Sequence, residues 1–295
     1  MKVLLVGANG VIGSFLYENL EKIYNVLGIS KSNNNPSLTI LDLTSNNQVH
    51  KFVDSIEKYH IMIFLVGLAH KKGRDKDLQE FLNINHKTLV NLTSKLEYAD
   101  KLPLKIIFAS TISVYGECLH QDTYNEDTKP NPTSPYAITK LQSEKYLLKN
   151  YGDRSWILRF SPVYSSDFKL NIARRTKIGY FNYRVGDGNK KLSLCNIKNI
   201  YEIINGIIND VIPPSIYNIS DKTIYSYNKL IELSIINWVI PIPKTFIQII
   251  YYFGVFFKNN FLIENAIKLI SDNIYTSEKV SKYINLPYNL RDMDV

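Results

Sequence analysis

A glycine-rich turn near the start of the chain most narrows the folds available to it. Gly7, Gly10 and Gly13 directly follow an apolar run that ends at Val6. Glycine permits a tight turn and lets a pyrophosphate approach backbone N–H groups, while a helix that starts there adds partial positive charge. The turn therefore predicts a dinucleotide-binding site. The residues of this turn that are expected to bind the cofactor are Gly7, Asn9, Gly10, Val11 and Ile12.

Short apolar runs alternate with helical patterns through the first half of the chain, which predicts a parallel sheet with crossover helices. The predicted fold is α/β, a Rossmann-type doubly wound parallel sheet with a smaller C-terminal substrate lobe. We place the dinucleotide-binding domain at 1–165, with sheet contributions from about 192–222, and the lobe at 166–191 and 223–295. The predicted strands are Lys2–Val6, Asn25–Ser30, Leu38–Leu41, Ile61–Val66, Lys105–Ser110, Trp156–Phe160 and Ser215–Ile219, and the predicted helices are Ile12–Ile23, Asn47–Lys58, Leu78–Leu96 and Tyr136–Asn150.

The end of the second predicted strand bears on the choice of cofactor. An acidic residue there would hold the adenosine ribose of NAD. This chain has Ser30 and Lys31 instead, a hydroxyl and an ammonium that suit a 2′-phosphate. We therefore expect NADP, with NAD as the alternative. Asp42 and Leu43 close the third strand, where they would lie beside the adenine, although Asp42 could equally cap the following helix.

Tyr136 and Lys140 are candidates for acid–base chemistry. They lie four residues apart at the start of a predicted helix, so both side chains share one face. A free tyrosine has a pKa near ~10, and a nearby ammonium would lower that pKa. Hydroxyl groups in the stretch Ser110–Gly116, past the end of the fifth strand, could hydrogen-bond a substrate oxygen as its charge changes.

In combination these motifs resemble the extended short-chain dehydrogenase/reductase family of nucleotide-sugar epimerases, dehydratases and reductases, over roughly residues 1–165. The resemblance implies that Thr111 is the catalytic hydroxyl, Tyr136 the general acid/base, and Lys140 the ligand of the nicotinamide ribose. Asn85, in the helix after the fourth strand, is expected to be structural. Further cofactor contacts are implied for Gly67, Leu68, Ala69, Pro162 and Val163, and substrate contacts for Ser110, Ser113, Asn171 and Lys190.

The reaction predicted first is reduction of a nucleotide-linked 4-keto-6-deoxyhexose, because biosynthetic reductases usually use NADPH. The alternatives are a nucleotide-sugar 4-epimerase, with a lipid-linked sugar as a variant substrate, and a non-catalytic dinucleotide-binding sensor or scaffold. Dehydration is disfavoured, because the dehydratases of the family carry Asp-Glu where this chain has Ile112 and Ser113.

The composition limits partners and location. The net charge of +8 comes from scattered lysines and arginines, which suits a pyrophosphate-bearing ligand better than nucleic acid. Cys118 and Cys195 lack CxxC spacing, and no metal site is expected. We expect a cytoplasmic homodimer that takes part in polysaccharide biosynthesis and pairs through the helices Leu78–Leu96 and Tyr136–Asn150. The apolar stretch Phe246–Phe257 is too short to span a bilayer, and it is interpreted as a core helix, a dimer face or a peripheral membrane contact.

Overall fold

A seven-stranded parallel sheet organises the chain in the computed structural model, which describes residues 1–32, 35–68, 78–119, 121–233 and 238–293. Its strand order is β13-β7-β5-β4-β1-β2-β3, so the chain winds outward from β1 in both directions, as the doubly wound prediction requires. The strands are β1 (Lys2–Val6), β2 (Asn25–Ser30), β3 (Thr39–Ile40), β4 (Ile61–Phe64), β5 (Lys105–Thr111), β7 (Ser155–Phe160) and β13 (Ile216–Ile219).

Helices with one apolar face cover this sheet. The apolar residues of β1 and β4 are fully buried, as expected of strands that are covered on both sides. The helices of the first half are α1 (Val11–Leu20), α2 (Asn46–Ser55), α3 (Leu78–Phe81), a π-helical turn (Leu82–Lys87), α4 (Thr88–Tyr98) and α5 (Pro135–Tyr151), followed later by α7 (Ile197–Ile208).

The chain divides into two units, and the division differs from the predicted domain boundaries. Unit 1 comprises residues 1–114, 134–159 and 204–217, and unit 2 comprises residues 115–133, 160–203 and 218–295. The segment 115–133 belongs to unit 2 rather than to the first domain because its strand β6 (Thr123–Tyr124) pairs in parallel with β16 (Ile274–Tyr275) near the end of the chain. The Tyr115 hydroxyl also donates to Asn218, 2.7 Å away.

Unit 2 is built from short elements around its own core. Tyr164, Leu194, Tyr225 and Leu230 are among the buried residues of that core. The remaining elements are β8 (Val163–Tyr164), α6 (Leu170–Thr176), β9 (Lys177–Ile178), β10 (Phe181–Val185), β11 (Lys191–Leu192), β12 (Cys195–Asn196), β14 (Tyr225–Ser226), α8 (Tyr227–Glu232), β15 (Val239–Ile242), α9 (Lys244–Phe256), α10 (Asn260–Ile270) and α11 (Glu278–Ser281).

No helix in the described ranges is both long and apolar enough to cross a bilayer.

Candidate active site

The glycine turn between β1 and α1 has the backbone geometry that a pyrophosphate site requires. Gly7 has a φ of +92°, a conformation that residues with a Cβ rarely adopt. A Cβ on Gly13 would lie 2.1 Å from the carbonyl oxygen of Gly7, so only glycine allows the helix to start this close to the turn. Gly10 caps α1 without a side-chain hydrogen bond, which leaves the first N–H groups of the helix available to an anion.

A cleft of about 250 Å³, open to solvent, lies beside this turn in unit 1. Its walls combine the glycine turn with the carboxyl ends of β2, β3 and β4, which is where ligands bind in open α/β sheets. The residues present fit a dinucleotide. Of the predicted cofactor residues, Gly7, Asn9, Gly10, Ser30, Lys31, Asp42, Leu43 and Gly67 line the cleft.

The end of β2 is tied to its surroundings by side-chain contacts. The Ser30 hydroxyl donates to the carbonyl oxygen of Ser32 at 2.5 Å, and the amide of Asn9 donates to the Ser32 hydroxyl at 3.0 Å. The Lys31 ammonium lies 2.8 Å from the Asp42 carboxylate. This contact with Lys31, together with a hydrogen bond from Thr44, lowers the pKa of Asp42 to about 2.

Asn85 connects the cleft to helix α5. Its side-chain oxygen accepts from the Leu68 N–H at 2.6 Å, and its amide nitrogen donates to the Leu68 carbonyl at 3.2 Å and to the Thr139 hydroxyl at 3.1 Å. The residue is fully buried within the π-helical turn, a local irregularity that often marks functional sites. Asn85 therefore fixes the backbone at Leu68. This is a structural role, as the sequence predicts. The adjacent residue Ala69 lies outside the described residues.

Tyr136, Thr111 and Lys140 come together in unit 1. Ser134 caps α5 by accepting from the N–H of Ala137, which places Tyr136 in the first turn of the helix. The Thr111 hydroxyl acts on the Tyr136 phenol and by itself favours a lower pKa of Tyr136. Burial nevertheless raises the pKa of Tyr136 to about 12, so the expected lowering by Lys140 does not hold in this arrangement.

Lys140 is buried, and its ammonium is held by the backbone. Its Nζ donates to the carbonyls of Ala109 at 2.8 Å and Val66 at 3.0 Å, and it lies 4.7 Å from the centre of the Phe108 ring. An ammonium has three N–H groups, so one remains for a ligand after these two bonds. Burial lowers the pKa of Lys140 to about 7, although Glu144 opposes the shift.

Ser110 makes a contact within the protein where a substrate contact is expected. Its hydroxyl is buried and donates to the carboxylate of Glu144, which in turn binds Arg159 through contacts of 2.7 and 3.1 Å. A charge pair this deeply buried keeps its hydrogen-bonding partners engaged, so the Ser110 hydroxyl belongs to the core of unit 1. Ser113 donates its backbone N–H to the Thr111 hydroxyl at 3.2 Å.

The other predicted residues lie in unit 2. Val163 begins β8 directly after Pro162, and the side-chain amide of Asn171 donates to the Val163 carbonyl at 2.8 Å. Lys190 is largely buried, and its Nζ has no hydrogen-bond partner among the described residues but lies 5.2 Å from the centre of the Tyr227 ring. Burial lowers the pKa of Lys190 to about 7.

Some residues of the cleft wall are absent from the set predicted from the sequence. Ile84 and Thr88 line the cleft from the helical segment that carries Asn85, and Thr44 lines it just after Asp42. The four-residue spacing of Ile84 and Thr88 places them on one helical face, a signal that could have identified them once Asn85 was singled out.

The match to a protein-family model covers this site. The model of the NAD dependent epimerase/dehydratase family matches residues 3–219, which include the cleft and the Thr111, Tyr136 and Lys140 cluster.

Two curated relatives are similar in sequence. An uncharacterised UDP-glucose epimerase of Bacillus subtilis is 30% identical over 185 residues, which cover 56% of this chain and 57% of that protein. The N-acetyl-alpha-D-glucosaminyl-diphospho-ditrans,octacis-undecaprenol 4-epimerase of Escherichia coli O157:H7 is 25% identical over 240 residues, which cover 78% of this chain and 70% of that protein. The chain thus spans little more than half of the first relative's length.

A solved structure matches over the full chain. The hypothetical dTDP-4-dehydrorhamnose reductase of Sulfolobus tokodaii superposes with a TM-score of 0.74 at 18% identity, covering 100% of this chain and 98% of that one. At this identity the likeness shows a shared fold.

Proposed function

Because the chain belongs to the NAD dependent epimerase/dehydratase family, within the extended short-chain dehydrogenases/reductases, we propose that it is a reductase of a nucleotide-linked 4-keto-6-deoxyhexose that uses NADPH. The observation that carries the proposal is the end of β2, where Ser30 and Lys31 line the cleft in place of an acidic residue. A cationic wall at this position suits the 2′-phosphate of NADP, the cofactor usual in biosynthetic reduction.

The cofactor would lie along the carboxyl ends of β1, β2 and β4. The turn from Gly7 to Gly10 and the first N–H groups of α1 would hold the pyrophosphate, and the free N–H of Lys140 would bind the nicotinamide ribose. When bound, a reduced nicotinamide supplies the hydride that the keto carbon accepts.

Tyr136 would act as the proton donor. Its raised pKa keeps the phenol protonated at neutral pH, which is the form that reduction of a carbonyl requires. The phenol would give its proton to the keto oxygen as the carbon is reduced, and Thr111 would donate a hydrogen bond to the same oxygen. The carbonyl becomes a secondary alcohol, and solvent returns one proton to the Tyr136 oxygen.

A second candidate is a sugar 4-epimerase. The names of both curated relatives favour it, and the name of the Escherichia coli protein specifies a lipid-linked sugar. The same three residues would serve it, with Tyr136 first taking and then returning the proton while a bound NAD is reduced and reoxidised.

The two candidates differ in their use of cofactor. Purified protein would be incubated with NADPH and a nucleotide-linked 4-keto-6-deoxyhexose while the absorbance of the reduced nicotinamide is followed. A reductase consumes NADPH in proportion to the product formed. An epimerase consumes none, converts the 4-hydroxyl sugar without added cofactor and carries NAD through purification, which would overturn the reductase proposal.

We also propose a homodimer that pairs through α5 and the helical segment from α3 to α4. A shallow depression on these helices is lined by His86, Gln142, Tyr146 and Lys149, among others, and gives a second copy polar and aromatic groups to contact. Sedimentation equilibrium would then give twice the chain mass of 34.1 kDa, whereas a single-chain mass would contradict the pairing.

A further inference from the structure

Helix α9 in unit 2 presents one apolar side to solvent. Each of Phe246, Ile249, Tyr252, Phe253 and Phe256 lies three or four residues from another of the five, so they share one side of the helix, and they are 55–80% exposed. We call these five residues the apolar face. Contiguous apolar surface of this kind on a water-soluble protein usually marks an interaction site.

The opposite side of α9 is packed within unit 2. Ile247 and Gly254 are its buried residues. A Cβ on Gly254 would lie 3.0 Å from the Cβ of Leu262 and 3.1 Å from the backbone nitrogen of Ile263, so α10 approaches α9 closely along this side. The apolar face is therefore the side of a firmly seated helix that faces away from α10.

Further exposed aromatic residues occur near α9 along the chain and on the strand pair β10 and β15. Phe257 and Phe261, which follow along the chain, are 58% and 68% exposed. Trp238 is 77% exposed just before β15, which pairs in parallel with β10, and Tyr180, between β9 and β10, is 89% exposed. Tryptophan and tyrosine combine an apolar ring with a polar edge, which suits the boundary between lipid and water.

Basic residues outnumber acidic ones in the sequence segments that form α9, β9 and β10, although the carboxyl of Asp187 interacts with Lys244. Between Glu232 and Glu264 the sequence contains Lys244 and Lys258 and no acidic residue. The segment 168–186, which contributes β9 and β10, also lacks acidic residues. Its cations are Lys169, Arg174, Arg175, Lys177 and Arg184.

We propose that the apolar face docks unit 2 onto the surface of an anionic phospholipid bilayer. A helix with exposed aromatic side chains and flanking lysines can lie in the interfacial plane, with its apolar side about 5–10 Å deep. Helix α9 has 13 residues, fewer than the ~20 needed for a span, so the contact is peripheral.

Charge favours this occupant over a second copy of the chain. A two-fold contact places the same patch on both partners. It would bring the basic segments around Lys177 and Lys244 of two copies together, and Asp187 beside Lys244 offsets only part of their charge. An anionic lipid surface offsets the same charges, because it attracts basic residues that lie near it.

Vesicle flotation of the full chain tests the proposal without reference to turnover. The vesicles would be phosphatidylcholine alone, or phosphatidylcholine with phosphatidylglycerol. We expect the protein to float with the anionic vesicles, and at least a tenfold weaker association with neutral vesicles and in high salt. The double variant Ile249→Ser, Phe256→Ser should lose vesicle binding. Its matched control, Tyr98→Ser with Leu104→Ser, changes two exposed apolar residues of unit 1 and should float like the unaltered protein.

A second pair of variants tests the charges. Lys244→Glu with Lys258→Glu should weaken flotation with anionic vesicles at least tenfold, whereas Lys22→Glu with Lys51→Glu in unit 1 should not. Thermal unfolding and NADPH binding of every variant establish that unit 1 remains folded.

Three outcomes would overturn the proposal. The unaltered protein could bind neither vesicle, or it could bind both vesicles equally. It could also self-associate in a way that the Ile249→Ser, Phe256→Ser variant abolishes, which would make a second copy the occupant. Because flotation does not depend on catalysis, failure of the reductase assignment would leave these results interpretable.

Discussion

The Lys31 ammonium lies 2.8 Å from the Asp42 carboxylate, and both residues line the nucleotide cleft at the ends of β2 and β3. The cation proposed to bind a 2′-phosphate thus already has an anionic partner. The preference for NADP over NAD should therefore depend on both residues, since a 2′-phosphate must compete with the carboxylate for the ammonium.

Two substitutions at this pair should move cofactor preference in opposite directions. Lys31→Met should raise the Kd for NADPH about tenfold or more and leave the Kd for NADH nearly unchanged, because a charge-assisted contact contributes about 1.5–3 kcal/mol. Asp42→Asn should strengthen NADPH binding. Fluorescence titration with both cofactors measures the ratio, and Lys22→Met serves as a surface control. An equal rise in the Kd for NADPH and for NADH in Lys31→Met would show that the ammonium does not bind the 2′-phosphate.

Gly13 should be indispensable to the cleft. In Gly13→Ala the new methyl group would meet the Gly7 carbonyl oxygen at 2.1 Å, so the turn and the start of α1 must separate. We expect cofactor binding to be lost, as judged by the same titration. The matched control is Gly152→Ala, because a Cβ at Gly152 would have no neighbour within 4 Å in the part of the chain that the structure describes. Normal NADPH binding by Gly13→Ala would contradict the pyrophosphate assignment.

Lys140 should make the stability of the protein depend on pH. Burial lowers its folded-state pKa to about 7, while the unfolded chain keeps a value near ~10.4. Between these values the unfolded state binds more protons, so the free energy of unfolding should rise with pH, by about 2 kcal/mol from this residue between roughly pH 7 and 9. Urea unfolding of the unaltered protein and of Lys140→Met measures the difference. If both show the same pH dependence, Lys140 is not titrating as its burial predicts.

Ser110 and its neighbour Thr111 should respond differently to loss of the hydroxyl. Ser110→Ala removes a donor from the buried Glu144 carboxylate and should cost about 1–3 kcal/mol of stability, with little change in the KM for the sugar. Thr111→Ala should keep the stability and lower kcat about 10²–10³-fold. Thr111→Ser should recover most of the rate. A raised KM for the sugar with unchanged stability in Ser110→Ala would instead support a substrate contact by Ser110.

The sequence predicts the sheet well for a physical reason. The predicted strands Lys2–Val6 and Asn25–Ser30 match the observed bounds, because buried parallel strands form short apolar runs bounded by turns. The elements of unit 2 are harder to predict. Strands such as Thr123–Tyr124 contain two residues, too few for a periodic pattern, and their partners lie far along the chain.

The candidate site likewise has features that local sequence predicts and features that depend on the folded structure. Local spacing identifies the glycine turn and the pair Tyr136 and Lys140, because neighbours on one turn or helix stay neighbours after folding. The bond from Ser110 to Glu144 joins residues 34 positions apart. The raised pKa of Tyr136 depends on burial, which a four-residue spacing does not reveal.

Substitution of the tyrosine tests the central claim most directly. Tyr136→Phe removes the proton donor but keeps the ring, so NADPH titration should give an unchanged Kd while the reduction of a nucleotide-linked 4-keto-6-deoxyhexose falls about a hundredfold or more. Turnover near that of the unaltered protein, with cofactor binding intact, would contradict the account.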